Sequence, residues 1–182
     1  MIENTNQAFL SWYESHHDSF VRFCSSKAFG IMETEDLVQE AVLKTLEGFE
    51  RIQDKTKTLG YMIGIVQNII RNQRRRQKFQ GDWEELVLEK LESKTLNPEV
   101  ALDIQLLLKK LNELPEKQSE AITLFEISGF SIREIAAIQD STEGATKTRI
   151  SRGRQNLKEL LSEKPGTMSV SQRLAVYASI LF

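Results

Sequence analysis

Apolar side chains recur at intervals of three and four residues along most of the chain, a spacing typical of amphipathic α-helices. Only three prolines and nine glycines interrupt these stretches in 182 residues. The pattern predicts helices over 7–27, 34–49, 59–78, 98–114 and 116–128. Thr34 is expected to be the N-cap of the second helix, and Asn97 followed by Pro98 is expected to begin the fourth. The predicted fold class is therefore all-α.

The most informative segment follows Gly129, which is expected to end the preceding helix. Ser131 and Glu134 have the spacing of a capping box and predict a short helix that ends near Ile138. Residues 139–141 then form a tight turn, and a second helix begins near Thr142 and continues to about 161. Two helices joined by so short a turn indicate a helix-turn-helix, whose second helix typically enters the major groove of DNA.

The second helix of this motif is expected to have two different faces. One face has the spacing of a packing surface and contains Thr146, Ile150, Gly153 and Leu157. The other carries donors and small polar groups, namely Lys147, Thr148, Ser151, Arg152 and Gln155. Such groups suit base edges and phosphates. Arg149 and Arg154 flank this face, where we expect phosphate contacts or salt bridges rather than base reading.

The net charge of −2 conceals two basic stretches separated by an acidic one. The basic residues of the first are Arg71, Arg74, Arg75, Arg76 and Lys78; those of the second are Lys147, Arg149, Arg152, Arg154 and Lys158. Neither stretch contains an acid. Between them lie Asp82, Glu84, Glu85, Glu89, Glu92, Glu99 and Asp103. Basic stretches on helices are typical of nucleic-acid-binding proteins, although a solvated helix end is the simpler alternative for 71–78.

The predicted helix over 59–78 also has a polar flank. Asn68, Arg71, Asn72 and Arg75 recur at helical spacing, away from the apolar positions of the same helix. Amides beside guanidinium groups favour nucleic acid over simple solvation. One side of this helix is thus expected to pack and the other to bind.

Cysteine content and hydropathy predict a cytoplasmic protein. Cys24 is the only cysteine, so no internal disulfide can form, and its apolar surroundings predict a buried side chain. The first residues are polar and do not resemble a signal peptide. No stretch approaches the roughly 20 apolar residues of a membrane span. No residue spacing indicates a metal site or a cofactor.

Three ordered segments resemble the extracytoplasmic-function (ECF) group of the bacterial sigma-70 family of RNA polymerase sigma factors. Residues 35–44 resemble the polymerase-binding helix of that group, and residues 61–76 resemble its promoter-melting helix. Residues 111–115, 130–137 and 143–154 resemble its C-terminal helix-turn-helix domain. The resemblance extends over about residues 8–162.

The resemblance implies two small helical domains joined by an acidic linker, and no catalytic site. Residues 1–79 would bind core RNA polymerase and recognise and melt the −10 element, and 98–162 would bind the −35 element. Residues 80–97 would form the linker, passing through the RNA exit channel, and 163–182 a tail with a short helix. The implied polymerase-binding residues are Asp36, Gln39 and Glu40. The implied −10 residues are Lys55, Lys57, Asn68, Arg71, Asn72 and Arg75, and the implied −35 residues are Lys147, Thr148, Ser151, Arg152, Arg149 and Arg154.

Two other functions and one partner stay open on the sequence. A free-standing helix-turn-helix regulator would explain 131–161, but it leaves the basic stretch at 71–78 unexplained. A metal-dependent nuclease could use Asp36 and Glu40, which share a helix face, but no further ligand has suitable spacing. Whether an anti-sigma factor also binds is left open.

The tail has its own helical pattern. Ser169 and Gln172 have the spacing of a capping box, and Val170, Leu174, Tyr177, Ala178 and Leu181 fall on one face. A helix this short needs an apolar surface on which to lie. It is expected to extend a core, to hold the two domains together, or to cover a polymerase- or DNA-binding surface and so restrain activity.

Overall fold

A computed structural model describes residues 2–77, 87, 90–91, 97–162 and 168–180. Regular structure within these residues is entirely helical, which confirms the predicted fold class. The α-helices are α1 (Ile2–Glu14), α2 (His17–Ala28), α3 (Thr34–Phe49), α4 (Thr58–Gln77), α5 (Pro98–Glu113), α6 (Glu116–Ile122), α7 (Ile132–Ile138), α8 (Glu143–Ser162) and α9 (Val170–Ile180). A 3₁₀ turn at Lys55–Lys57 precedes α4, and α6 continues as a π-helical turn over Thr123–Ile127. None of the described helices is both long and apolar enough to cross a membrane.

The single helix predicted over 7–27 is wrong, because α1 and α2 are separated at Ser15 and His16. The Ser15 hydroxyl donates to the carbonyl oxygen of Trp12 at 2.8 Å, and His16 Nδ1 lies 2.9 Å from the same oxygen. Side chains that bind a helix carbonyl compete with the helical N–H groups, which explains the break. The spacing of the aromatic residues over 7–27 predicts that they face the core, and Phe20 and Phe23 indeed have no exposed surface.

Helices α3 and α4 pack against each other as the apolar spacing predicts. Leu37, Ala41 and Thr45 of α3 are buried, as are Met62 and Val66 of α4. The prediction that Thr34 is the N-cap of α3 is wrong by one residue. Glu33 occupies the cap position in an extended conformation, and its side chain makes no capping hydrogen bond.

Helix α5 begins as predicted, because the Asn97 side chain accepts a hydrogen bond from the Glu99 amide at 2.9 Å. On α5, Ile104, Leu107 and Leu108 are buried, whereas Leu102 is 58% exposed. Helix α9 packs along α5, and the two helices share an apolar cluster.

The tail forms helix α9, and its capping box is confirmed. The Ser169 amide donates to Gln172 Oε1 at 2.8 Å, and the Gln172 amide donates to the Ser169 hydroxyl at 3.3 Å. Leu174 and Tyr177 are buried as predicted, while Leu181 lies outside the described residues. The tail therefore does lie on an apolar surface.

Two apolar clusters each join residues from both halves of the chain. We call residues 2–77 the N-terminal unit and residues 97–162 the C-terminal unit. The first cluster includes Phe20 and Val66 together with Leu124 and Ile150. The second joins Phe29 to α5, α8 and α9. The two units therefore pack directly on one another.

Only four residues of the predicted linker, 80–97, are described: Val87, Lys90, Leu91 and Asn97. Val87 and Leu91 have no exposed surface and belong to the second cluster. The acidic residues Asp82, Glu84, Glu85, Glu89 and Glu92 lie outside the described residues, as does Lys78 of the first basic stretch.

Candidate nucleic-acid interface

The helix-turn-helix begins with a complete capping box. The Ser131 amide donates to Glu134 Oε2 at 2.8 Å, and the Glu134 amide donates to the Ser131 hydroxyl at 3.2 Å. Asp140 adopts a φ of +49° in the turn, a conformation that Asp tolerates better than most residues. The Thr142 hydroxyl accepts from the Ala145 amide at 3.1 Å and so caps α8. These local bonds fix the angle at which α8 leaves the turn.

Helix α8 has the two faces that its sequence predicts. The packing positions Thr146, Ile150, Gly153 and Leu157 are all buried, and the donor positions Lys147, Thr148, Ser151, Arg152 and Gln155 are all exposed. Gly153 allows the close approach to α6, because a Cβ there would lie 2.8 Å from Ile122 Cδ1. Packing on one side thus presents the other side to solvent.

The side chains on and beside the exposed face differ in whether they form hydrogen bonds or ion pairs within the protein. Among the described residues, Lys147 and Arg152 make no hydrogen bond or ion pair, so their charged groups are available to a ligand. The Thr148 hydroxyl donates to the Gly144 carbonyl oxygen at 3.0 Å and retains acceptor capacity. The guanidinium groups on the flanks are occupied: Arg149 donates to Gln139, and Arg154 pairs with Glu126.

The polar flank of α4 consists of Asn68, Arg71, Asn72 and Arg75, and all four are exposed as predicted. Arg71 Nη1 donates to Asn68 Oδ1 at 3.1 Å, and Arg75 donates to Asn72 Oδ1. These pairs orient the amide groups along the helix. We refer to the four residues as the α4 flank.

A groove of about 320 Å³ lies between α3 and the α4 flank. Asn68 and Asn72 line it together with Gln73 and Arg76, and Ile65 and Ile69 contribute apolar surface. Amides and a guanidinium beside apolar surface can bind an unpaired base, which presents both an edge and a face.

The two lysines of the loop before α4 differ in their contacts with the rest of the protein. Asp54 caps the 3₁₀ turn, accepting from the Thr56 hydroxyl at 2.6 Å and from the Thr56 amide at 3.0 Å. The same hydrogen bonds lower the pKa of the Asp54 carboxyl. Lys55 lies over the Phe49 ring, 3.7 Å from its centroid, and donates to the Phe49 carbonyl. Lys57 is exposed, so only this lysine extends freely from the loop.

The predicted polymerase-binding residues share the outer face of α3. Asp36 and Gln39 are exposed, and Glu40 is half-buried and pairs with Lys44 at 2.5 Å. Leu43 was not singled out from the sequence, but it lies on the same face and is 60% exposed. An apolar residue among polar positions of a helix face was the signal that could have identified it. It adds apolar surface to an otherwise polar face.

A polar contact joins the two units at α4 and α6. Gln67 of α4 donates to Glu120 Oε1 of α6, and Arg71 Nη2 lies 3.5 Å from Glu116 Oε1. Lys27 lies near the same contact, where burial lowers its pKa to about 8 against the opposing attraction of Glu120. Nothing in the sequence signals this contact, since its partners are far apart in the chain.

The described residues contain no group of three or more His, Cys, Asp or Glu side chains that could hold a metal ion. Asp36 and Glu40 therefore have no further ligand beside them in that part of the chain. Cys24 is buried, as predicted, and burial raises the pKa of its thiol.

In comparison with known proteins, two family models match the regions that contain the two basic helices. The family model for sigma-70 region 2 matches residues 12–80, and that for sigma-70 region 4 matches residues 104–157. The ECF RNA polymerase sigma factor EcfG of Rhodopseudomonas palustris (strain TIE-1) is 30% identical over 128 residues, which cover 70% of each chain. This chain belongs to the ECF group of the sigma-70 family. Its function is that of an RNA polymerase sigma factor in promoter recognition, and its partners are core RNA polymerase and promoter DNA.

Other relatives of this ECF sigma factor extend over more of the chain. The ECF RNA polymerase sigma factor SigW of Bacillus subtilis (strain 168) is 27% identical over 172 residues, covering 86% of this chain and 90% of SigW. The solved structure of CnrH in complex with the cytosolic domain of CnrY covers 90% of this chain with a TM-score of 0.54. At 20% identity it supports the fold alone. The region 2 match explains the basic stretch that a free-standing regulator left unexplained.

Proposed function

We propose that this sigma factor reads the −35 element with the exposed face of α8. Lys147, Ser151 and Arg152 lie on the side opposite the buried packing positions, so docking against DNA would not disturb the core. The exposed donor face of α8 is the observation that carries this proposal. A guanidinium at Arg152 can donate two hydrogen bonds to a guanine edge. Thr148 adds a hydroxyl, while Arg149 and Arg154 act on phosphates or position the helix.

We further propose that the α4 flank captures the unwound strand of the −10 element. Arg71 and Arg75 would neutralise phosphates, and Asn68 and Asn72 line the groove that can take an unpaired base. Lys57 would extend the cationic path along the loop, and Lys55 would support it through its contact with Phe49. Separate sites for duplex and single strand match the two steps of initiation, recognition and melting.

The outer face of α3 is the proposed contact with core polymerase. Asp36, Gln39 and Glu40 supply polar groups, and Leu43 supplies an exposed apolar anchor on the same face. The domains proposed are 1–79, an acidic linker over 80–97, 98–162 and a tail over 163–182, with the linker passing along the RNA exit channel. The protein is proposed to be cytoplasmic, to have no catalytic site and to be open to control by an anti-sigma factor.

Run-off transcription with core polymerase tests the α8 proposal. The Arg152→Ala variant should initiate less often, with a loss of about 1–3 kcal/mol in the free energy of promoter recognition. On templates with single changes in the −35 element, it should lose discrimination at one base position. Lys158→Ala, an exposed basic position further along the same helix and beyond the residues proposed to read bases, is the matched control and should leave discrimination unchanged. Equal losses from both variants at every template would place the reading face elsewhere.

The α3 proposal requires a binding measurement rather than transcription. Leu43→Ala combined with Asp36→Lys should weaken association with core polymerase while thermal unfolding stays unchanged, because both side chains are exposed. Glu14→Lys, at an exposed position at the end of α1, makes a charge reversal outside the proposed face and is the charge control. Unaltered association of the double variant would remove this face from the interface.

A further inference from the structure

A cavity of about 800 Å³ lies between α8 and the beginning of the tail helix α9. Its volume falls within the range of about 300–1,000 Å³ that is typical of small-molecule sites. Among the described residues, its lining contains no acidic side chain and four cationic ones, namely Arg152, Arg154, Lys158 and Arg173. The cavity therefore concentrates positive charge beside the exposed face of α8, which favours an anionic ligand.

Only half of this positive charge is balanced by acids of the protein. Arg154 and Arg173 each pair with a carboxylate that lies outside the described lining. Arg152 and Lys158 form no hydrogen bond or ion pair within the described part of the chain. These two cations are thus left for a ligand, and a phosphate monoester carries a complementary charge of about −1.5 to −2 at pH 7.

The guanidinium group of Arg173 is an independent indication of an anion site. Its side chain is only 2% exposed, and its pairing with Asp103 uses Nη2 alone, at 3.2 Å from Oδ1. Nε and Nη1 are buried and have no hydrogen-bond partner among the described residues. Buried donors ordinarily have partners, and arginine is the residue best suited to donate several hydrogen bonds to phosphate oxygens. A phosphate in the cavity would supply the acceptors that this group lacks.

The rest of the lining indicates what the phosphate is attached to. Serine hydroxyls can donate further hydrogen bonds to its oxygens. Four apolar residues provide a surface for a hydrocarbon, namely Leu161, Met168, Val170 and Leu174. No aromatic side chain lies among the described lining residues, so a nucleobase would have no ring on which to stack. We propose that this cavity binds a soluble phosphate monoester with an aliphatic body.

Such a ligand would share residues with the surface proposed to read the −35 element. Ser151 and Arg152 line the cavity and also belong to the exposed donor face of α8. Resting on the proposed function of that face, the ligand and duplex −35 DNA bind α8 in competition. A ligand of this class therefore lowers initiation in proportion to its occupancy of the cavity.

Octyl phosphate is the probe for this cavity, because its two parts can be tested separately as inorganic phosphate and octanol. In calorimetric titrations of the full chain, it should bind at least about tenfold more tightly than either part, since only the intact probe can contact the cations and the apolar surface together. Equal affinity for inorganic phosphate would contradict the aliphatic body, and equal affinity for octanol would contradict the anion site. No binding of octyl phosphate would overturn the site.

Two variants of α9 locate the binding. Ser171 lines the cavity in the first turn of the helix, and Ala175 lies one turn further along, outside the described lining; both are exposed. Ser171→Glu should weaken octyl phosphate binding by about tenfold, because it adds a negative charge beside the phosphate. An acid in the first turn of a helix is favourable, so this variant should fold. Ala175→Glu makes the same change in charge and should bind like the parent; equal affinities in the two variants would place the ligand elsewhere.

Vesicles of phosphatidylcholine and phosphatidic acid present the same phosphate chemistry in a membrane. A soluble ligand predicts that the Ser171→Glu and Ala175→Glu variants sediment with these vesicles to the same extent. Vesicle binding that only Ser171→Glu loses would overturn the assignment to a soluble molecule.

Run-off transcription with core polymerase separates the ligand site from its consequence. Octyl phosphate should inhibit initiation by the parent and by Ala175→Glu, whereas Ser171→Glu should require about tenfold more of it, each compared with its own activity without ligand. Equal inhibition of both variants would contradict the competition at α8. Binding without inhibition would support the ligand site and contradict the assignment of the −35 face to α8, so the two failures are distinguishable.

Discussion

The two basic helices of this sigma factor carry similar chemistry but differ in their surroundings. On α8, Lys147 and Arg152 extend from a face whose opposite side is buried, and no described residue pairs with them. On α4, Arg71 faces Glu116 of the other unit, and Gln67 beside it is bound to Glu120. Availability for DNA therefore depends on what packs nearby as much as on the charges themselves. The proposed −35 face has unpaired cations, although Met168 and Ser169 of the tail line a cavity of about 800 Å³ with Ser151 and Arg152, whereas the proposed −10 flank has one cation already paired with the other unit.

The largest effect is expected from breaking the ion pair that fixes the tail. Asp103→Ala would leave the Arg173 guanidinium, 2% exposed, without its carboxylate, and its Nε and Nη1 already lack partners among the described residues. Removing one partner of a buried pair costs about 3–5 kcal/mol. Urea unfolding measures the loss. Arg173→Met removes the charge as well and should lose less; an equal loss would show that packing, not charge, sets the cost.

The next largest effect is expected where α8 packs against α6. Gly153→Ala places a methyl group 2.8 Å from Ile122 Cδ1 and should destabilise the fold by about 1–3 kcal/mol. Gly144→Ala, on the same helix, meets only Thr142 Oγ1 at 4.0 Å and should be stabilising by about 0.5–1 kcal/mol. If α8 is packed as described, thermal unfolding should show a lower midpoint temperature for Gly153→Ala and a higher one for Gly144→Ala. If Gly153→Ala were stabilising, the Ile122 side chain of α6 would have to move aside to accommodate the methyl group.

A smaller effect is expected where the tail meets α2. Tyr177→Phe removes the hydrogen bond to Ser26 and should cost about 0.5–1.5 kcal/mol. Burial raises the pKa of the Tyr177 phenol above its ordinary value. Its contribution is therefore complete below pH about 10 and is lost as the pH rises further, because only the released side chain ionises. The parent should lose stability there faster than Tyr177→Phe; parallel pH profiles would contradict burial of the phenol.

The smallest effect concerns Lys27 at the contact between the units. Burial lowers the pKa of its ammonium group to about 8, although the nearby negative charge of Glu120 acts to raise it. The unfolded chain then binds more protons between pH 8 and about 10, so this group makes stability rise with pH over that window. Lys27→Gln should flatten the profile there. A pKa of Lys27 near its ordinary value, measured by NMR, would indicate that its ammonium group is exposed to water rather than buried.

Local sequence patterns predicted the helix-turn-helix in detail. The capping box at Ser131, the start of α8 next to Thr142 and the two faces of α8 are confirmed, because caps and helical spacing act within four residues. The separation of α1 from α2 was missed, since a carbonyl captured by Ser15 and His16 leaves no trace in apolar spacing. Which side of α5 is buried was not predicted, because α9, which packs along it, is remote in sequence.

The sequence by itself determined that this protein is helical, where the second helix of its helix-turn-helix begins and which residues that helix presents. Family resemblance supplied the function of the chain, and the comparisons confirmed it. Tertiary structure alone decided that Gln67 meets Glu120, 53 residues away, and that Tyr177 meets Ser26, 151 residues away. Helical spacing specifies a face but not its partner, because which face meets which depends on the free energy of the whole packed arrangement.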